Sequence, residues 1–169
     1  MTRWARGIGV IVVLSLATAA SAQSAFRPAQ GDFSVAFPGT PVVGSEVSAT
    51  QDDPGYRSYI DEEAGGRFVV TVDQYPSGIP TPQPTQTTYL LLLRAHAKDH
   101  QLNLVSTHGA DLGGRPALEG LFVADGGRRE VVRVLMVGPR IYQVECDETE
   151  QGGGGDAAAE GFLDSFRLR

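Results

Sequence analysis

The chain has 169 residues, of which 41% are hydrophobic and 20% charged, with a formal net charge of −6. That composition is ordinary globular material and excludes a fibrous or compositionally disordered chain. An acidic balance also argues against nucleic acid or anionic lipid as a partner, because phosphate binding runs on Lys and Arg.

Met1 to Ala22 read as a secretory signal peptide. Arg3 and Arg6 form a short positive region, Gly7 to Ala17 an apolar one, and Ala20-Ser21-Ala22 a small-x-small cleavage pattern, with the cut expected between Ala22 and Gln23. The apolar run falls well short of the roughly 20 residues that span a bilayer. Cleavage leaves no integral membrane segment, so the expected compartment is a periplasm or the cell exterior, with the protein soluble there. Removing 22 of 169 residues leaves 147, and losing two arginines makes the mature charge about −8. A chain of that length can build a core without staples, as it must, because Cys146 is the only cysteine. No cysteine follows the apolar region, which excludes a lipid-anchored form.

Gln23 to Gln30 read as a tether, followed by one domain over residues 31–169. Phe33, Val35 and Phe37 alternate with Ser34 and Ala36 and stop at Pro38-Gly39, which predicts a half-buried strand. Val42 to Ala49, Tyr56 to Glu62, and the Phe68, Val70 and Val72 alternation predict three more. Pro76 to Pro84 holds four prolines and forms a stiff extended connection. Thr85 to Leu102 predicts a helix capped by Thr85 or Thr87. Leu104–Leu112, Pro116–Ala124, Glu130–Val137 and Ile141–Asp147 follow, with links short enough only for hairpins, so they predict an antiparallel meander. Glu148 to Asp156 is a glycine-rich loop, and Ala157 to Phe166 closes the chain as a second helix with Phe162, Leu163 and Phe166 as its apolar stripe. The order predicts an α+β domain, a mainly antiparallel sheet of about six to eight strands with both helices packed on it.

Few residues invite chemistry. His96 and His100 lie four apart and project from one helical face, where Asp99 or His108 can add a third metal ligand. The glutamate of the zinc-protease motif is absent, and the two histidines share a line with Tyr89 and Leu93, so packing is the plainer reading. Cys146 alternates with Val144 and Tyr142, which makes it a small core residue, with Glu145 and Asp147 on the other face. There is no G-x-S-x-G elbow and no phosphate loop, so no catalytic residue and no cofactor is expected. The acid groups Asp52-Asp53 and Asp61-Glu62-Glu63 lack calcium-loop spacing and read as hairpin tips. Arg115, Arg128, Arg129 and Arg133 can receive an anion, although ion pairing with Glu119 and Glu130 across the hairpin is simpler.

Phe33-x-Val35-x-Phe37-Pro38-Gly39-x-Pro41, Gly138 to Val144 and Phe162-Leu163-x-Ser165-Phe166 together resemble the opening strand, a late strand and the closing helix of bacterial exported proteins with the Mog1/PsbP-like fold. The resemblance implies an α/β/α sandwich around an antiparallel sheet. Its known members are mainly non-enzymatic, a small-GTPase-binding protein and accessory subunits of the photosynthetic oxygen-evolving complex among them. Neither role transfers with the fold alone. The sequence therefore points to a non-catalytic exported module that binds another envelope protein or a small ligand. Such a module should carry an apolar patch or a pocket beside its sheet. The alternative is a metal-dependent protein or hydrolytic enzyme using His96 and His100.

Overall fold

Alternating apolar residues on either side of one helix produce two strand meanders, and these join edge to edge. The computed structural model describes residues 25–50, 53–62, 66–76, 83–148 and 155–169. In chain order the elements are β1 (Phe33–Ser34), β2 (Val42–Val47), β3 (Gly55–Asp61), β4 (Gly66–Gln74), α1 (Gln86–Asp99), β5 (Asn103–Leu112), β6 (Arg115–Val123), β7 (Arg129–Val137), β8 (Arg140–Glu148), α2 (Gly155–Ser165) and β9 (Arg167–Leu168). Seven strands form one antiparallel sheet in the order β2-β3-β4-β8-β7-β6-β5. The seam between the meanders is β4 against β8, in register from Gly66↔Glu148 to Gln74↔Arg140. The stretch expected as a signal peptide, residues 1–22, falls outside the described residues.

The sheet is covered on both faces. On one, α2 packs Phe162, Leu163 and Phe166 against Phe68, Val70, Val72, Val144 and Cys146, with Cys146 wholly buried. On the other, α1 lays Leu93 on Leu118, Phe122, Val132 and Val134. Thr85 caps α1 in a reciprocal box with Thr88. The helix stops at Asp99, short of the expected Leu102, because Gln101 adopts a left-handed φ of 55° and the Leu102 N–H turns back to the Ala97 carbonyl.

The first expected strand differs from its prediction. Only Phe33 and Ser34 pair, with β9, and they form a separate two-stranded sheet. The neighbouring backbone is satisfied elsewhere: Val35 exchanges hydrogen bonds with Phe26, and the Ala36 N–H donates to Ser165 Oγ at 2.8 Å. Ser34 is buried along with Phe33 and Val35, so the stretch has no solvent face. Of residues 25–30, expected as tether, Phe26 and Pro28 are covered by the domain and the others are exposed. Phe26 sits 5.1 Å from the Tyr59 ring and 5.6 Å from that of Phe37, because its large apolar face is better placed there than in water. Buried Asp32 holds this corner, with Oδ2 accepting from Arg57 at 3.1 Å and Arg140 Nη1 lying 3.6 Å away.

Close seating of α1 requires a glycine. A Cβ at Gly120 would lie 2.9 Å from Phe122 Cε2 and 3.1 Å from the Leu93 and Leu104 Cδ1 atoms. We therefore expect Gly120→Val to lower stability by about 1–3 kcal/mol in urea denaturation, by overpacking beneath the helix. Unchanged stability would show that α1 is not seated on this position.

Candidate functional site

Strand alternation sends Val144 and Cys146 of β8 into the α2 layer and Glu145 and Asp147 to the α1 side. On that side the ladder sets Phe122, Glu130, Asp147 and Arg67 in one row across β6, β7, β8 and β4. The next row is Gly120, Val132, Glu145 and Val69, so the Glu145 carboxylate stands between two valines. Into this polar island α1 projects His96, three residues on from Leu93 along the buried side of the helix. His96, Glu130, Glu145 and Asp147 are respectively 6%, 3%, 6% and 7% exposed, which makes this an enclosed cluster.

His96 Nε2 lies 2.5 Å from Glu130 Oε1, and the His96 ring packs 5.2 Å from that of Phe122. One atom each from His96, Glu130 and Glu145 falls within 4.8 Å of the others. Asp147 Oδ2 accepts from Arg128 Nη1 at 2.7 Å, while Asp147 Oδ1 is buried with no hydrogen-bond partner among the described residues.

The protonation states follow from crowding. Burial pushes the Glu145 carboxyl up to about 7, with His96 opposing and Glu130 reinforcing the rise. Burial also lifts Asp147 to about 6, helped by Glu130 and resisted by Arg128. Burial works against the imidazolium of His96, yet the Glu130 hydrogen bond and the surrounding carboxylates outweigh it and hold its pKa above the ordinary value. Glu130 is held below its usual range because hydrogen bonds from His96 and Asp147 overcome its own burial. His100, exposed but partly covered by the stacked His96 ring, is pushed down by that desolvation and by the neighbouring His96.

The residues singled out from sequence do not all meet here. His100 stacks on His96 at 4.3 Å and 20° between planes, and it is exposed, as is Asp99. His108 is on β5, 60% exposed, and pairs with Glu119 at 2.8 Å. The arginines divide: Arg133 bridges Glu119 at 2.6 Å and Asp164 at 2.7 Å, and Arg128 serves Asp147. Glu130, expected on an arginine, is under α1 instead, because its side of β7 is covered by the helix. Asp61 is buried and accepts the Gly39 N–H at 2.5 Å, while Asp52 and Glu63 lie outside the described residues. The sequence signal for the cluster is in β7, where Val131, Val132, Val134, Leu135 and Met136 are apolar on both faces. A strand of that kind belongs to a sheet covered on both sides, so acids on the neighbouring strand are buried whichever way they point.

A second feature lies at the other end of α1. A groove of about 580 Å³ runs beside the helix start, with Pro84, Tyr89, Arg115, Pro116, Leu118 and Met136 among its lining. No helix among the described residues is long and apolar enough to cross a membrane.

The cluster's proton balance makes stability depend on pH. An unfolded chain loses the Glu145 proton near 4.5, whereas the folded protein keeps it to about 7. In that window the folded state binds the extra proton, so the contribution of Glu145 to stability is greatest below 4.5, falls as pH rises and levels off above about 7. Asp147 acts in the same sense between 3.8 and about 6. In chelator-treated buffer, Glu145→Gln should be more stable than wild type at about pH 8 by up to about 3 kcal/mol, with the gap closing toward pH 4.5. Denaturation curves across that range test this, and a pH-independent gap would refute it.

No protein-family model matches the sequence, and no curated protein matches it either. Among solved structures, the chain is similar to cyanobacterial PsbP (CyanoP) from Synechocystis sp. PCC 6803. The TM-score is 0.58 at 11% identity, with 86% of this chain and 92% of that one covered. A Bacteroides thetaiotaomicron protein aligns at TM-score 0.43 and 11% identity, covering 86% of this chain and 48% of that one. The seven-stranded antiparallel sheet with its two helices is thus a PsbP-like α+β fold.

Proposed function

We propose that this chain is an exported, non-catalytic accessory module that takes an envelope protein or small ligand into the groove at the start of α1. The observation that carries this reading is the groove itself. It lies beside the sheet where a binding module needs a pocket, and it combines apolar Tyr89, Pro116, Leu118 and Met136 with the cation of Arg115. The PsbP-like fold supports an accessory role, and the secretory features of residues 1–22 support export to a periplasm or the cell exterior. A hydrolytic role for His96 and His100 finds less support. His96 is enclosed and already hydrogen-bonded to Glu130, and His100 is stacked upon it, so His96 is not open to a substrate.

Affinity capture from the native envelope fraction tests the reading. The wild-type protein should retain a specific partner that an Arg115→Glu variant loses while its melting temperature stays within about 2 °C, since the Arg115 side chain is exposed at the groove. Equal capture by the two would overturn the groove as the binding site. Intact-mass analysis of the exported protein should place its N-terminus at Gln23, and an uncleaved leader would overturn the export reading.

A further inference from the structure

We propose that His96, Glu130 and Glu145 form a structural site for a divalent cation of the Zn²⁺ class, which clamps α1 onto β7 and β8. The donors come from three elements, and one atom from each lies within 4.8 Å of the others. A tetrahedral Zn²⁺ with bonds of about 2.0–2.2 Å spaces its ligand atoms about 3.3 Å apart. His96 Nε2 and Glu130 Oε1, at 2.5 Å, need only open by less than about 1 Å, with Glu145 closing by up to about 1.5 Å. The shared proton between imidazole and carboxylate then gives way to the ion.

Two further observations point to a cation. Glu130, Glu145 and Asp147 bring three buried carboxylates together. The contacting cations are the His96 imidazole and the Arg128 guanidinium, which sits on Asp147, so Glu145 has no cation at contact distance among the described residues. Arg67 stands across the ladder from Asp147, and its own partner is Glu62, at 3.8 Å. Moreover, Asp147 Oδ1 is a buried carboxylate oxygen without a hydrogen-bond partner among the described residues, next to Glu130 in the ladder, and it adds to the negative charge beside the three donors. An imidazole among carboxylates selects a borderline ion such as Zn²⁺ over Mg²⁺ or Ca²⁺, which take oxygen alone. Enclosure makes the site structural. With every donor under a tenth exposed, no open position faces solvent or the groove.

The test is titration of the purified, chelator-stripped protein with ZnCl₂ near neutral pH by calorimetry and thermal melting. The expected result is one ion per chain, a midpoint in the micromolar range or tighter, a melting temperature raised by about 5 °C or more, and a binding enthalpy that varies with buffer through proton release. Glu145→Gln, a neutral isostere that preserves the fold, should weaken binding at least tenfold and abolish the thermal shift. His100→Ala and His108→Ala should leave both intact. Saturable binding absent below millimolar Zn²⁺ would overturn the site. So would binding that survives Glu145→Gln but is lost in His100→Ala or His108→Ala, because the ion would then sit on exposed imidazoles. Displacement of Zn²⁺ by equimolar Mg²⁺ would overturn the role of His96.

Discussion

The contact between His96 on α1 and Glu130 on β7 closes a helix over a part of the sheet that is not apolar. Everything on that face is arranged around the resulting problem: carboxylates taken out of water must find a proton, a cation or a hydrogen-bond donor. Glu130 finds the imidazole, Asp147 finds Arg128, and Glu145, set between Val69 and Val132, is left to hold a proton nearly to neutrality. Leu93 and Gly120 make the arrangement possible by letting α1 lie close enough for His96 to reach the strand.

The opposite face answers to a different constraint. There α2 and the N-terminal segment supply aromatic surface: Phe33 stacks on Phe166 at 5.4 Å, Phe162 meets Phe37 and Phe68, and Phe26 joins from the start of the described chain. Asp32, with Arg57 and Arg140, ties this corner to the sheet, and the Arg169 N–H donates to its carbonyl, so the two ends of the domain close on each other. Between these polar contacts the face is filled by apolar side chains, and its stability rests on their packing.

Both features lie along α1. Its C-terminal half is anchored by the polar cluster, and its first turns border the groove. A helix held firmly at one end gives the groove a rigid wall. The PsbP-like architecture is shared at 11% identity, a level at which packing topology persists while surface chemistry is free to change.

Local chemistry alone determined most of the elements. Alternation at Phe68, Val70 and Val72 and apolar segments between turns marked the strands from β2 to β8, glycine pairs such as Gly113-Gly114 marked the hairpins, and Thr85 with a run of leucines marked α1. The burial of Cys146 was legible for the same reason, since a strand's period assigns each residue a face. It could not say what covers each face. Glu145 and Asp147 read only as the face of β8 opposite Cys146, and the seating of α1, more than 30 residues away in sequence, made that side an interior. Likewise β9 and the docking of Phe26 depend on the chain's ends meeting, a long-range event with no local signature. Hydrogen-bonding period is a property of neighbours in sequence, whereas the company that His96 keeps was decided by neighbours in space.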